Sequence, residues 1–332
     1  MKIAIIGGGW YGCHIATSLL DLGINVLVFE KRGELFNGAS GNTTGRIHRG
    51  YHYPRSSKTV EEIQSSLNHF SSKYKDFIFE TSRNLYGITA SESLIDWGCF
   101  VKTIESNKLE IKKLNPEHFG FVNLEGVGSV VESYINTQKA KLYFNEKLSD
   151  FVRTNYEVKK EEMFAMKIAD EVFDFVINCT FNEIDLIDTK DTILHNSYLF
   201  VLKKIKDIDW DSLTLMDGDF FSITPVNENL NEYYLYDVKS QNSYFEQIED
   251  YNHVFENYIL PKVTYYFPDF LDFFKYEGVK KSKKEVSASF AAERTLKIKR
   301  DKNIITLFPS KINSVCLAED YIKKIIFEKI AV

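Results

Sequence analysis

Four of the chain's 17 glycines fall within one short stretch near its start, Ile3-Ala-Ile-Ile-Gly-Gly-Gly-Trp-Tyr-Gly-Cys13. The apolar run before them, Ile3 to Ile6, is typical of a strand that is buried on both faces in a parallel sheet. Trp10 to Leu22 carries apolar residues at helical spacing, and Gly23 is predicted to end that helix. A second apolar run extends from Ile24 to Phe29. This order of strand, glycine-rich turn, helix and strand predicts a parallel α/β unit.

The glycines match the pattern G-x-G-x-x-G, which predicts dinucleotide binding when it lies between a strand and a helix. Gly7 permits a tight turn, Gly9 leaves no Cβ between the backbone and a pyrophosphate, and Gly12 allows close helix packing. The diphosphate is expected on the unpaired N–H groups at the start of the helix. Glu30, at the end of the second strand, is placed to accept hydrogen bonds from a ribose, and an acid there disfavours NADP. FAD and NAD both remain compatible with this motif.

Composition and charge narrow the class of protein further. The 332 residues are 44% hydrophobic and 27% charged, which is typical of a globular protein. A formal net charge of −6 argues against a nucleic-acid partner, and the basic cluster from Lys280 to Lys284 is predicted to be a solvated loop. The four cysteines have no CxxC spacing, so neither a disulfide framework nor a zinc site is expected. No targeting or membrane segment is visible, and a cytoplasmic location is expected.

The segment after Glu30 separates the two cofactors. It reads Gly38-Ala-Ser-Gly-Asn-Thr-Thr-Gly-Arg-Ile-His-Arg-Gly-Tyr-His-Tyr-Pro54. This stretch resembles the G-A-S-x-x-N/S-x-G-x-I-H-x-G segment of the D-amino-acid oxidase and glycine oxidase family of FAD enzymes, and within that family the L-2-hydroxyglutarate dehydrogenase branch. The resemblance implies FAD as the cofactor. Its hydroxyl and amide side chains would face the phosphates and the ribitol.

Two later segments resemble the same family but lack its glycines. Asp174 to Thr180 resembles the third strand of the nucleotide domain, and Phe181 stands where a glycine is expected. Asn303 to Asn313 resembles the last strand and loop, which is glycine-rich in the family and faces the flavin. Here Lys311 is a candidate cation beside the N1/C2 edge of the ring, where negative charge collects on reduction.

The resemblance and the motif together give a set of residues expected to bind FAD. They are Gly7, Gly9, Trp10, Tyr11, Gly12, Glu30, Lys31, Ser40, Asn42, Thr43, Thr44, Arg46, Ile47, Thr180, Ser310, Lys311, Ile312 and Asn313.

Three residues are candidates for the chemistry: His48, Arg294 and Lys311. By resemblance His48 lies beside the flavin, where it would orient the ring, assist proton removal or hold FAD covalently, or would only pack beneath the ring. Arg294 would clamp a substrate carboxylate or form an ion pair with Glu293 or another acid. His48 and His52 do not form a predicted metal pair, because a helix through this Gly- and Pro-containing stretch is disfavoured.

The predicted fold class is α/β, with a Rossmann-type FAD-binding domain built on a parallel sheet and interleaved with a mainly antiparallel α+β substrate domain. The predicted FAD-binding domain comprises residues 1–82, 127–192 and 291–332, and the substrate domain comprises 83–126 and 193–290. Helices are expected over Ser91 to Ser106, Gly128 to Lys141 and Gln241 to Tyr266, and a strand near Leu142 to Phe144.

The chain is therefore expected to be an FAD-dependent oxidoreductase that takes a hydride from a C–H bond next to an amine or hydroxyl of a small substrate bearing a carboxylate. Two alternatives stay open at this point. One is a pathway-specific flavoprotein acting on a modified sugar or amino acid, and the other is a degenerate, non-enzymatic dinucleotide-binding protein. The sequence does not determine the oligomeric state.

Overall fold

The computed structural model describes residues 1–187, 192–239, 250–287, 294–309 and 311–330. The strands are β1 (Lys2–Ile6), β2 (Asn25–Phe29), β3 (Arg46–Ile47), β4 (Ile78–Glu80), β5 (Asn84–Thr89), β6 (Ile111–Leu114), β7 (Leu124–Val130), β8 (Ser133–Ile135), β9 (Val152–Arg153), β10 (Lys167–Ile168), β11 (Glu171–Val172), β12 (Phe175–Asn178), β13 (Thr192–Lys204), β14 (Ser212–Met216), β15 (Phe221–Pro225), β16 (Glu232–Asp237), β17 (Phe274–Ser287), β18 (Lys297–Asp301) and β19 (Ile304–Phe308). The α-helices are α1 (Trp10–Leu20), α2 (Ser57–Lys73), α3 (Trp97–Ser106), α4 (Thr137–Lys147), α5 (Lys160–Phe164), α6 (Tyr251–Val254), α7 (Leu260–Tyr266), α8 (Phe270–Phe273) and α9 (Val315–Ile330).

The first sheet has the spatial order β18-β19-β12-β1-β2-β9. Its strands are parallel except for β18, which pairs antiparallel with β19 at the edge. Helices α1 and α9 cover one face, where their apolar residues join those of β1, β2 and β12 in one buried core. This sheet confirms the predicted parallel α/β unit, and it brings the carboxyl ends of β1, β2 and β12 to one edge.

The second sheet has the order β17-β13-β16-β15-β14-β5-β7-β6 and is antiparallel apart from the pairing of β5 with β14. A core rich in aromatic residues lies between this sheet and helices α6 to α8. A small third sheet, β3-β8-β4, lies where the chain passes from β7 of the second sheet towards α4. The structure thus confirms the expected fold class of a parallel and a mainly antiparallel layer.

Two predicted elements in the middle of the chain were wrong. The helix predicted over Gly128 to Lys141 is instead the end of β7, then β8, then α4, which starts after Asn136 accepts a hydrogen bond from the N–H of Lys139. The run Leu142 to Phe144 lies inside α4 and is not a strand. A three-residue apolar run fits a helix as well as a strand, and the cap at Asn136 was the missed signal.

Two other predictions also differ from the structure. Helix α3 starts after Asp96, whose carboxylate accepts from the N–H of Cys99 at 2.7 Å, and not at Ser91. The basic cluster belongs to strand β17, where Lys280 donates to the hydroxyl of Tyr234, so it is not a loop. In the helix predicted over Gln241 to Tyr266, residues 241–249 lie outside the described residues, and the chain from Tyr251 is helical to Tyr266 as predicted, as α6, a π-helical turn over Phe255–Ile259 and α7.

A buried polar cluster fastens α1 to α2 and α9. His14 lies between the hydroxyl of Tyr74 (2.6 Å from Nδ1) and the carboxylate of Glu319 (2.7 Å from Nε2). Lys73 and Lys323 also contact Glu319, at 3.2 and 2.6 Å. His14, Cys316 and Glu319 have the composition of a metal site, but two ammonium groups already contact the single carboxylate and more than compensate its charge. We therefore interpret this cluster as an internal ion-pair network.

None of the helices within the described ranges combines the length and the apolar composition that crossing a bilayer requires.

Candidate active site

The glycine-rich turn between β1 and α1 is built as the motif requires. Gly7 has a φ of +102°, and a Cβ on it would lie 2.8 Å from the carbonyl oxygen of Cys179. A Cβ on Gly12 would lie 1.9 Å from the carbonyl oxygen of Gly7, so only glycine lets α1 approach the strand end. A Cβ on Gly9 would meet Ser40 Oγ at 3.0 Å. The space between the backbone of Gly9 and Ser40 is therefore open only because Gly9 has no side chain.

Glu30 is held in place at the carboxyl end of β2. Its Oε2 accepts a hydrogen bond from the N–H of Gly8 at 2.7 Å, and its Oε1 accepts from the N–H of Arg32 at 2.9 Å. Lys31 turns to Glu183, with Nζ 2.5 Å from Oε2, and so joins the ends of β2 and β12. The carboxylate of Glu30 thus keeps a fixed orientation at the wall of the cavity.

The segment after β2 packs against the start of α1. The Oγ of Ser40 accepts a hydrogen bond from the backbone N–H of Trp10 at 2.8 Å. The amide of Asn42 donates to the carbonyl oxygen of Gly38 at 3.2 Å. The ring of Trp10 belongs to the core, where it contacts the rings of Phe36, Phe70, Tyr74 and Phe144. Any contact of Trp10 with a cofactor would therefore come from its backbone.

A cavity of about 890 Å³ begins at this turn and extends to the second sheet. It brings together most of the residues proposed from the sequence: Gly7, Gly9, Trp10, Tyr11, Glu30, Lys31, Ser40, Asn42, Thr43, Thr44, Arg46, His48, Thr180, Arg294, Lys311 and Ile312. Gly12, Ile47 and Asn313 do not line it, and Ser310 lies outside the described residues.

The loop before α9 is fixed by side chains in place of glycines. The amide of Asn313, which is fully buried, donates to the carbonyl oxygen of Ile63 and to Ser66 Oγ, both at 2.9 Å. The hydroxyl of Tyr11 donates to the carbonyl oxygen of Lys311 at 2.7 Å. The Nζ of Lys311 lies 4.3 Å from the centroid of the Tyr53 ring. Asn313 therefore anchors the loop to α2, while Lys311 reaches the cavity wall.

Phe181 keeps the backbone conformation that a glycine would adopt at this point. Its φ is +58°, in the left-handed region that residues with a Cβ rarely occupy. Its ring stacks on Phe308, with the centroids 5.4 Å apart, and lines the cavity beside Thr180. The loop after β12 therefore retains its shape although the expected glycine is absent.

Two histidines and a tyrosine form one aromatic wall of the cavity. His48 lies 5.4 Å from His52 and 5.3 Å from Tyr53 between ring centroids. The Nδ1 of His48 is 4.0 Å from Oε1 of Glu132, a carboxylate with no exposed surface.

Arg46 also lines the cavity, and its guanidinium belongs to a buried polar network. Its guanidinium donates to the hydroxyl of Tyr86 at 2.8 Å and to Thr214 Oγ1 at 2.7 Å, and its Nε lies 3.2 Å from Glu132. Because Tyr86 and Thr214 belong to the second sheet, Arg46 joins that sheet to β3.

Sequence reasoning missed several residues that the second sheet brings to the cavity. They are Asn196, Ser197 and Leu199 of β13, Ser222 of β15, Tyr236 of β16 and Lys281 of β17. Burial raises the pKa of Tyr236, and the positive charge of Arg294 opposes that rise. No local motif marks these residues, because only the strand order places them together.

The residues present fit FAD. The N-terminal end of α1 is accessible only because Gly9 lacks a Cβ, as a pyrophosphate requires. Glu30 presents a fixed carboxylate at the strand end where a ribose is expected. Hydroxyl and amide groups of Ser40, Asn42 and Thr43 line the space that follows.

Comparison with known proteins relates the chain to FAD enzymes. The family model described as FAD dependent oxidoreductase (DAO) matches residues 2–118. The FAD-dependent monooxygenase FPY4 of Fusarium mangiferae is 26% identical over 338 residues, covering 98% of this chain and 91% of that protein. The FAD-dependent monooxygenase kojA of Aspergillus flavus is 26% identical over 373 residues, covering 98% and 86%.

Solved structures share the fold at low sequence identity. Glycine oxidase from Geobacillus kaustophilus superposes with a TM-score of 0.71 at 13% identity, covering 96% of this chain and 92% of that one. L-alpha-glycerophosphate oxidase from Mycoplasma pneumoniae, solved with FAD bound, gives a TM-score of 0.70 at 13% identity with the same coverage. Together with the glycine-rich turn, these findings indicate FAD as the cofactor and an FAD-dependent oxidoreductase as the class of protein, and residues 2–118 carry the sequence pattern of the FAD dependent oxidoreductase (DAO) family.

Proposed function

We propose that this oxidoreductase acts on a small substrate that bears a carboxylate, and that it removes a hydride from a carbon next to an amine or hydroxyl of that substrate. The observation that carries this proposal is the distribution of charge around the cavity. Six cations line the cavity, and three of them lie beside acids: Lys31 beside Glu183, Arg32 beside Glu30 and Arg46 beside Glu132. The other three, Lys281, Arg294 and Lys311, lie on its second-sheet side and in the loop before α9. The acids that line it, Glu30, Glu157 and Glu183, come from segments that follow strands of the first sheet.

Arg294 is the residue best suited to hold a carboxylate. Its Nε is buried and has no hydrogen-bond partner among the residues described. Its backbone N–H donates to Thr59 Oγ1 at 3.1 Å, which ties this position to the start of α2. A guanidinium held in this way presents paired donors that match the two oxygens of a carboxylate. Glu293, the acid that the sequence suggested as an alternative partner, lies outside the described residues.

The remaining residues of the wall fit the other requirements of the reaction. When bound, FAD supplies the acceptor for the hydride. Burial keeps Tyr236 protonated, so its hydroxyl can donate to the substrate beside Arg294. His48 can accept the proton that leaves the amine or hydroxyl. Leu199 and Tyr53 add apolar surface that limits the access of water.

A monooxygenase reaction is the second candidate, and it is favoured by the names of two relatives that cover nearly the whole chain. It is compatible with a pathway-specific substrate such as a modified sugar or amino acid. We do not propose a non-enzymatic scaffold, because Phe181 and the loop at Lys311 retain a formed cavity without their glycines.

Stopped-flow mixing without oxygen separates the two reactions. The holoprotein is mixed anaerobically with amino acids and 2-hydroxy acids, with and without NADH or NADPH. Bleaching of the flavin by the substrate alone supports direct oxidation. Bleaching only by NADH or NADPH, followed by transfer of ¹⁸O from ¹⁸O₂ into the product, would establish a monooxygenase and refute the leading proposal.

A further inference from the structure

One face of helix α2 supports two separate segments of the cavity wall. Thr59, Glu62 and Ser66 recur at helical spacing, so their side chains lie along the same side of α2. The segment from Arg294 to Leu296 contacts the first turns of this face, and the loop before α9 contacts the turn that follows. Helix α2 is therefore a common support for both segments.

The carboxylate of Glu62 contacts both segments at once. Its Oε2 accepts a hydrogen bond from the backbone N–H of Leu296 at 2.9 Å, and its Oε1 accepts one from Ser314 Oγ at 2.6 Å. Ser314 is fully buried just before α9 begins. Hydrogen bonds to an ionised acceptor are stronger than those between neutral groups. Glu62 thus joins two segments that β18 and β19 separate along the chain.

Each segment has a second attachment to α2 beside Glu62. The backbone N–H of Arg294 donates to Thr59 Oγ1 at 3.1 Å. In the other segment, the buried amide of Asn313 donates to Ser66 Oγ at 2.9 Å. With Glu62 between them, these contacts hold the backbone of both segments where they border the cavity.

We propose that Glu62 is a positioning residue: its carboxylate fixes the spacing between Arg294 and the loop that carries Lys311, and so sets where the carboxylate of a substrate is held relative to that loop. A backbone shift at Arg294 moves its guanidinium with it, and a misplacement of about 1 Å can cost on the order of 100-fold in rate. This inference rests on the proposed function for the part played by Arg294, whereas the contacts of Glu62 depend on no substrate.

Hydrogen exchange of the holoprotein, followed by mass spectrometry, tests these contacts without any turnover. In Glu62→Ala the N–H of Leu296 loses its acceptor, and we expect it to exchange about tenfold faster or more. Glu61→Ala is the matched control, because Glu61 is exposed on the same helix and its replacement should leave exchange at Leu296 unchanged. Unchanged exchange at Leu296 in Glu62→Ala would overturn the proposal.

Two further variants separate the contacts of Glu62 from its charge. Glu62→Gln keeps the side-chain size and one acceptor oxygen, so it should restore most of the protection at Leu296. Glu62→Asp keeps the charge but shortens the side chain by a methylene group, so it should behave like the alanine variant. If Glu62→Ala fails to fold, Glu62→Asp gives the same test.

Anaerobic reduction of the flavin tests the effect on substrate selection. Selectivity is the second-order rate constant for an active amino acid or 2-hydroxy acid, divided by that for its counterpart without the carboxylate. We expect Glu62→Ala to lower this ratio about tenfold, because a displaced Arg294 holds the carboxylate less well. A general loss of stability would slow both compounds equally and leave the ratio unchanged.

Combination with Arg294→Gln shows whether Glu62 acts through Arg294. Arg294→Gln alone should lower the selectivity, and the addition of Glu62→Ala should lower it no further. A further, independent loss in the double variant would contradict the positioning role. Unchanged selectivity in Arg294→Gln would refute the proposed carboxylate clamp instead. In that case faster exchange at Leu296 in Glu62→Ala supports the positioning role, and unchanged exchange overturns it.

Discussion

Phe181 and Phe308 stack at the carboxyl ends of neighbouring strands of the first sheet, with their rings 5.4 Å apart and 28° from parallel. Phe181 forms this contact from a backbone φ of +58°. The structure therefore offsets conformational strain at a turn that lines the cavity with the stacking of two aromatic rings.

The first prediction compares two truncations of Phe181. Both Phe181→Gly and Phe181→Ala lose the ring, but only glycine also relieves the left-handed conformation, which costs residues with a Cβ about 1–2 kcal/mol. We expect the glycine variant to be more stable than the alanine variant by about 1 kcal/mol in urea unfolding. An alanine variant of equal or higher stability would show that the turn is not strained.

The second prediction concerns FAD binding at Gly9. Gly9→Val places a side chain where the pyrophosphate is expected and against Ser40 Oγ. If the side chain prevents about two backbone N–H groups from binding the charged pyrophosphate, the affinity for FAD should fall on the order of 100-fold. The backbone φ of −81° suits valine, so the apoprotein should fold. The flavin absorbance per mole of protein measures the loss of FAD, and the melting temperature shows whether the apoprotein folds.

Gly33→Ala is the matched control for this substitution. Gly33 is exposed, and a Cβ there would meet Asn155 at an ordinary distance of 3.5 Å. This variant should retain its flavin. Full flavin content in Gly9→Val would contradict the placement of the cofactor at the start of α1.

The third prediction concerns stability against pH through His14. Burial lowers the pKa of His14 from 6.5 to about 4, while an unfolded chain protonates this histidine near 6.5. The unfolded state therefore binds more protons between these values, so the free energy of unfolding falls as the pH falls. From pH 7 to pH 5 the loss from this group is about 2 kcal/mol.

Urea unfolding of the wild type and of His14→Gln at both pH values tests this effect. Glu319 stays ionised over this range in the folded protein, since its pKa is lowered by the hydrogen bond from His14 and by Lys323 against the effect of burial. The variant should be less stable at pH 7 but should lose less stability on acidification. An equal pH dependence in both proteins would mean that His14 is already protonated in the fold.

The fourth prediction concerns substrate affinity at Arg294. Arg294→Gln removes the charge that we propose to clamp the carboxylate, which should raise KM on the order of 100-fold with a smaller effect on the reduction of bound flavin. Arg300→Gln, on the exposed strand β18, is the control and should leave KM unchanged. An unaltered KM in the Arg294 variant would show that the carboxylate of the substrate binds to another residue.

The sequence predicted the first sheet and its turn because the determinants are local. Gly7, Gly9 and Gly12 act within one turn, and Glu30 follows the next strand. The family resemblance of the segment from Gly38 to Pro54 predicted FAD as the cofactor, and it identified His48, which lines the cavity, as a candidate for the chemistry.

The second-sheet wall could not be predicted in the same way. Tyr236 and Lys281 come from different strands, and only the strand order brings them to one cavity. Glu132 was missed because its turn lay inside a predicted helix, and its partners Arg46 and Tyr86 are distant in sequence. The burial of Asn313 depends likewise on the packing of α2 against the last loop.

The most direct test of the central claim is the visible spectrum of the holoprotein during anaerobic titration with matched compounds. Each pair contains an amino acid or 2-hydroxy acid and its counterpart without the carboxylate, an amine or an alcohol. The account predicts that at least one carboxylate-bearing compound bleaches the flavin and that its counterpart does so at least about 100-fold more slowly. Equal bleaching by both members of every reactive pair would contradict it.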